Sequence, residues 1–363
     1  MDRRFTLTTL LTALLICCFT TLAVAADHPY PNPKRMFVAL PQHPQTYNLN
    51  SPAGNLAQWN GSFTDRVGGV KRNFTMVGTN PGTTNSTTTV PLFVIPVKVV
   101  INGGATFDPN VSMFEGQNVP VTQTILNSPL FNANVDFKQG GTDLGKTQYI
   151  DAFQRGNAFA YTKTHQNYHV VLGKATVAPE QTFTCNGSGC TFGIEFGQVV
   201  GLIDINLFDT AVQGWLQKFS SQITPNTFPI FLIYQVYMTQ GGGCCIGGYH
   251  SANGNQPAGQ TYGVSTTIKQ GKGVFSQDTA ALSHEIGEWM DDPFVDNQVG
   301  CTDNSILEVG DMLVLDDHEY PVNGFTYHLQ DLAFVGYFGA NRGVSLHSWL
   351  SFQGDLDHVC PRN

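Results

Sequence analysis

Apolar and β-branched residues dominate from Pro91 to Ile101, and Asn102-Gly103-Gly104 follows at once. Such a run closed by turn residues predicts a buried strand. Shorter runs predict further strands at Tyr168–Leu172, Gly193–Asn206, Phe228–Met238 and Tyr262–Ile268. Helical turns are expected near Thr122–Asn127 and Thr147–Arg155. Val212, Trp215, Leu216 and Phe219 recur at helical spacing and predict a helix over Asp209–Phe219. Gly241–Gly259, rich in glycine and cysteine, reads as a loop. Before the first strand the chain is rich in Pro, Asn, Gly and Thr with little periodicity. Residues 26–90 therefore read as an extended N-terminal arm, with an edge strand around Met36–Leu40, or as a removable pro-segment. Residues 91–363 read as one domain.

After Tyr262–Ile268 the period changes. Leu282, Ile286, Trp289 and Met290 fall on one helical face, and His284, Glu285, Glu288 and Asp292 on the other. Ser276 or Asp278 can cap this helix, and Asp292-Pro293 should end it, because the residue before proline avoids helical geometry. A carboxylate-rich face beside a histidine is ordinary if it meets water. Without a cation, however, the Glu285/Glu288 pair is mildly unfavourable. A second acidic cluster, Glu308-Val309-Gly310-Asp311, then brings Glu308 in 20 residues after Glu288. Asp303 and Asp316 are rival ligands.

Charge and cysteine content narrow the class. Lys plus Arg number 18 against 27 Asp plus Glu, a net charge of −9 with no basic cluster. That argues against nucleic-acid binding. Arg3 and Arg4, the apolar Leu10–Phe19 and Ala23-Val24-Ala25 have the form of an export signal over residues 1–25. A secreted, extracellular protein is expected, with the periplasm as alternative and no membrane insertion after cleavage. Six cysteines follow this segment and allow 15 pairings. Cys185–Cys190, Cys301–Cys360 and a vicinal Cys244–Cys245 bridge are the expected set, with Cys244 or Cys245 bonding elsewhere as the alternative.

Ser283-His284-Glu285-Ile286-Gly287-Glu288-Trp289 resembles the HExxH metal helix of zinc metallopeptidases, with glutamate replacing the second histidine. The separation between Glu288 and Glu308 resembles that between second and third ligands in thermolysin-like proteases. Gly248-Tyr249-His250-Ser251, Ala281-Leu282-Ser283-His284-Glu285, Asp292-Pro293 and Glu308-Val309-Gly310-Asp311 resemble the plant exordium, or phosphate-induced, family and its bacterial relatives.

These resemblances imply an α+β, zincin-like fold: a mixed, strand-rich sheet with an active-site helix and long loops, stabilised by disulfides. They imply a Zn²⁺ site at His284, Glu288 and Glu308, with Asp311 orienting His284 through its other ring nitrogen or itself binding directly. The extra oxygen donor also admits Mn²⁺ or Ca²⁺. Glu285 would be the general base. His328, with Tyr327, is the first choice for an oxyanion donor, and His250 and His347 are the next candidates. The expected activity is hydrolysis of a peptide or protein substrate by a monomer. The alternative is a non-catalytic secreted or cell-surface binding protein with a structural or vestigial metal site.

Overall fold

The Pro91–Ile101 run forms the strand Leu92–Ile101, buried along most of its length. Near-continuous burial is what a strand covered on both faces requires. It pairs in parallel with Gln181–Cys185 on one side and Phe228–Tyr234 on the other. Gln260–Thr267 adds in parallel to Phe228–Tyr234, and Gly248–Asn253 adds antiparallel to Gln260–Thr267. This sheet dominates the computed structural model, which describes residues 36–38, 40–44, 54–102, 104–302 and 305–356. The expected export segment, Asp303 and Cys360 lie outside the described residues.

The Gly248–Asn253 strand at the sheet edge is covered by the chain itself. Phe37 bridges Gly248 and His43 bridges Asn253, both in parallel. Where an edge strand is expected around Met36–Leu40, the described residues form an isolated pairing at Phe37 rather than a continuous strand. The rest of the expected arm is more structured. Gln58–Thr64 and Lys71–Val77 form an antiparallel hairpin, and Thr87–Val90 pairs with His169–Leu172.

Two long expected strands are each broken by one conformational change. At Gln235, where φ is 54°, the chain leaves the large sheet; Val236–Gln240 joins a second sheet with Gln198–Asp204 and Gly243–Ile246. Gly193–Asn206 is instead a hairpin, Cys190–Glu195 with Gln198–Asp204, turning at Phe196 and Gly197, which both have positive φ. The helix that follows, Ile205–Lys218, starts at Asp204, whose side chain accepts hydrogen bonds from the amides of Asn206 and Leu207. The expected loop Gly241–Gly259 contains two strands, Gly243–Ile246 and Gly248–Asn253.

The helix carrying the HExxE residues spans Ala280–Asp291 and stops before Asp292-Pro293 as expected. Its N-cap is Thr279, with no side-chain cap hydrogen bond. All 12 of its residues are buried, so neither face is the solvated one of an ordinary amphipathic surface helix. On its apolar side Trp289 lies flat against Phe228, ring centroids 3.7 Å apart, and its Nε1 donates to Thr261 Oγ1 at 2.9 Å.

Elsewhere the buried Asp209 carboxylate accepts from the hydroxyls of Tyr249 and Tyr262, each at 2.9 Å, and pairs with His43 at 2.8 Å. The Cys185–Cys190 and Cys244–Cys245 disulfides are both formed. Cys301 is also disulfide-bonded. The architecture is a strand-rich α+β fold with disulfides. Among the described residues no helix is long and apolar enough to cross a membrane.

Candidate metal centre

Glu288 is the middle of the site. One helical turn before it, His284 presents Nε2 to Glu288 Oε2 at 3.0 Å. From the neighbouring edge strand, His250 presents Nδ1 to the same oxygen at 3.9 Å and to Glu285 Oε2 at 3.4 Å. From the loop beyond the helix comes Glu308. Two overlapping donor sets result, His250–Glu288–Glu308 and His284–Glu285–Glu288, each with its ligand atoms within 4.8 Å of one another. His284 and Glu308 thus both reach Glu288, but in different sets. His250, expected at most as an oxyanion donor, stands among the carboxylates.

The surroundings fix these side chains closely. A Cβ at Gly248 would sit 2.5 Å from Glu285 Oε1, and one at Gly310 would sit 2.3 Å from His284 Nδ1. Both distances lie far inside van der Waals contact, so glycine is what lets strand and loop approach the helix. The Gly310 amide donates to Glu288 Oε1 at 3.1 Å. His250 Nε2 lies 3.1 Å from the Asp292 carbonyl, an acceptor that makes Nε2 the protonated nitrogen and leaves Nδ1 with its lone pair facing the site.

The other nitrogen of His284 is held by Gln330, not by Asp311. His284 Nδ1 lies 3.1 Å from Gln330 Oε1, while Gln330 Nε2 donates to the Gly310 carbonyl at 2.6 Å. Asp311 Oδ1 instead stands 3.8 Å from His284 Nε2, on the same side as Glu288. Its side chain is 29% exposed, whereas those of His284 and Glu288 are 0% and 1% exposed.

Electrostatically the cluster is costly as protein alone. Burial lowers His284 and His250 to about 4, so both imidazoles are neutral near pH 7. Burial also pushes Glu285, Glu288 and Glu308 well above the usual carboxylate range, and their mutual repulsion raises Glu285 and Glu308 further. Among the described residues no lysine or arginine forms an ion pair with these three carboxylates. His250 Nδ1, His284 Nε2, both oxygens of Glu285 and Glu308 Oε1 are buried without a hydrogen-bond partner. Orphaned lone pairs of this kind on neutral imidazoles and carboxylates suit a divalent cation.

The remaining candidates lie elsewhere in the structure's bonding. His328 Nδ1 bonds Asp278 Oδ2 at 2.6 Å, just before the helix start, and His328 Nε2 points toward the exposed Glu319 at 3.8 Å. Tyr327 donates to the Thr124 carbonyl at 2.9 Å. His347 meets Thr142 Oγ1 at 3.0 Å on the surface. Asp316 is outside both donor sets.

Two contributors were not assigned their places from the sequence. His250 stands in Gly248-Tyr249-His250-Ser251, but its strand is buried on both sides and lacks alternation. Gln330 lies two residues beyond His328 on the same face of the Phe325–Gln330 strand, a relation that only that strand's pairing reveals. Comparison with protein-family models, with curated proteins and with solved structures finds no match.

Proposed function

We propose that the chain is a secreted, zincin-like metallohydrolase whose natural substrates are peptides. The observation that carries this reading is the pair of buried imidazole nitrogens, His284 Nε2 and His250 Nδ1, facing Glu288 Oε2 at 3.0 and 3.9 Å without hydrogen-bond partners. The glutamate in place of the second helical histidine is thereby offset, because an imidazole arrives from the strand instead. Glu288, which belongs to both donor sets, would hold the cation together with His284, His250 and Glu308 once these side chains close around it. Two imidazoles with carboxylates favour Zn²⁺ over the harder Mn²⁺ or Ca²⁺.

The cation would supply Lewis-acid polarisation of a substrate carbonyl and a more acidic water. Glu285, whose two oxygens have no other partner, would accept the proton of that water and pass it to the leaving amine. Gln330 keeps Nδ1 of His284 engaged, so that Nε2 faces the cation. The strand-then-helix order, Gln260–Thr267 into Ala280–Asp291, agrees with a zincin-like core, and the formed disulfides agree with an oxidising compartment.

A second reading rests on burial. Glu285 and Glu308 are each only 2% exposed, and closed metal sites are commonly structural, whereas catalytic ones keep an open position. A non-catalytic binding protein stabilised by its ion would have such a centre.

Metal analysis of the purified chain and its Glu285→Gln variant, with peptide-library digestion by both, separates the readings. The hydrolase reading expects metal in both and cleavage only by the unmodified chain. Metal in both with cleavage in neither establishes the structural reading. Absence of metal from both removes the two together.

A further inference from the structure

Residues 36–38 and 40–44 make contacts of a kind expected of a bound peptide. They run beside the Gly248–Asn253 strand, and the pairing is carried by main-chain groups. The Gly247 amide donates to the Met36 carbonyl, the His43 amide to the Ala252 carbonyl, and the Gly254 amide to the His43 carbonyl, each at 2.8 Å. Ser251 Oγ reaches the carbonyls of Leu40 and Pro41 at 3.1 and 3.2 Å. Addition of a strand to an exposed sheet edge gives affinity from such bonds, while side-chain slots give selectivity.

One slot is well formed. The Phe37 ring lies on the His284 imidazole, centroids 3.5 Å apart and planes 16° from parallel. Phe275 meets the other part of Phe37 edge-on at 5.5 Å, and Phe275 in turn packs against Tyr237 and Phe196. Phe196 is 42% exposed, so this aromatic row leads from the imidazole to solvent. Phe37 itself is 5% exposed. Its ring therefore covers a face of the very histidine the metal centre uses.

We propose that the groove along Gly248–Asn253 is a binding site for an extended peptide bearing an aromatic side chain, and that residues 36–44 are its built-in occupant. The slot on His284 then sets the preference for phenylalanine or a similar ring, and the segment keeps the centre closed until it is displaced. The inference deepens the metallopeptidase reading and takes from it the idea that a peptide is the natural ligand. The far end of the segment is held by more accessible contacts: His43 pairs with Asp209 while its side chain stays 36% exposed. A tethered occupant competes at high effective concentration, so the site on the intact chain should resist outside peptides.

The test is fluorescence anisotropy with a labelled peptide of the Met36–Pro44 sequence, added in EDTA to the full chain and to its Phe37→Ala variant. The variant should bind at least tenfold more tightly than the unmodified chain. A peptide carrying Ala in place of the phenylalanine should lose at least tenfold. Should Phe37→Ala fail to fold by circular dichroism, the double variant Gln42→Ala/His43→Ala loosens the same segment at its accessible end and should bind the peptide at least threefold more tightly. Equal binding by the unmodified chain and the folded variant, or indifference to the aromatic ring, overturns the proposal.

The outcome also separates this inference from the reading beneath it. Aromatic-dependent capture in EDTA by a chain that cleaves no library peptide when metal-loaded keeps the groove and removes the peptidase. Cleavage of a library without enrichment of aromatic residues keeps the peptidase and removes the slot.

Discussion

Gly248 and Glu285 touch so closely that a single added carbon on the glycine would stand 2.5 Å from the carboxylate oxygen Oε1. Strand and helix can adopt this spacing only because Gly248 has no side chain. Replacing it by alanine should displace Glu285 from His250 while leaving the sheet paired. We expect Gly248→Ala to lose hydrolysis about 10²-fold, in line with the cost of about 1 Å of misplacement. Turnover of the best library peptide measures this, with metal content as the control. Unchanged turnover would separate Glu285 from the chemistry.

Gln330 holds His284 and the Gly310 carbonyl together. Its replacement by leucine, of similar size, should leave the imidazole free to rotate or change tautomer. Removal of such a supporting partner weakens metal affinity by about 10–100-fold. Competition with a chelator of known affinity provides the measurement. An unaltered affinity in Gln330→Leu would show that Nδ1 needs no partner.

The carboxylates dictate a pH trend. Because burial raises Glu285, Glu288 and Glu308 in the folded chain, the metal-free folded state binds more protons than the unfolded state. Its stability is greatest below the unfolded carboxylate range and falls as pH rises toward the folded values. The two imidazoles, lowered to about 4, act oppositely, but only below about pH 6.5, where the unfolded histidines protonate. Asp291, Asp317 and Asp331, pushed up to about 7 by burial, add to the fall but do so with or without metal. The difference in Tm between metal-loaded and metal-free protein isolates the cluster and should widen from pH 6.5 to 8.5. A constant difference would mean that loading displaces no protons.

Trp289 is the main packing residue beneath the centre. It is wholly buried, stacked on Phe228 and hydrogen-bonded to Thr261. Trp289→Ala should cost about 3–5 kcal/mol by creating a cavity and orphaning the threonine. Trp289→Phe keeps much of the ring contact and should cost less. Urea denaturation of both variants checks the order, and equal losses would contradict it.

How much of this could be read in the chain depends on where a residue's partners lie. Helical periodicity around Leu282, Ile286 and Trp289 located Ala280–Asp291 and put His284 beside Glu288, because those contacts are local. The spacing to Glu308 pointed to the loop that brings this side chain beside His250 and Glu288. His250 was harder: Gly248–Asn253 has no solvated face, as His250 meets the Ala280–Asp291 helix while Tyr249 and Asn253 meet Ile205–Lys218, so alternation was absent. Gln235 shows another limit. The apolar run continues through it, and only the positive φ separates two sheets. Glu285 and Glu288 were expected on a face set apart from the apolar stripe, but burial of that face depends on strands and loops distant in sequence.

Asp209 gives the molecule a built-in gauge. It sits on the Ile205–Lys218 helix yet receives Tyr249 from the edge strand, Tyr262 from the next strand and His43 from the covering segment. Lifting that segment would strip the His43 contact and redistribute charge around two phenols. Ultraviolet difference spectra of Tyr249 and Tyr262 would therefore register whether the segment is seated on the Gly248–Asn253 strand or lifted from it.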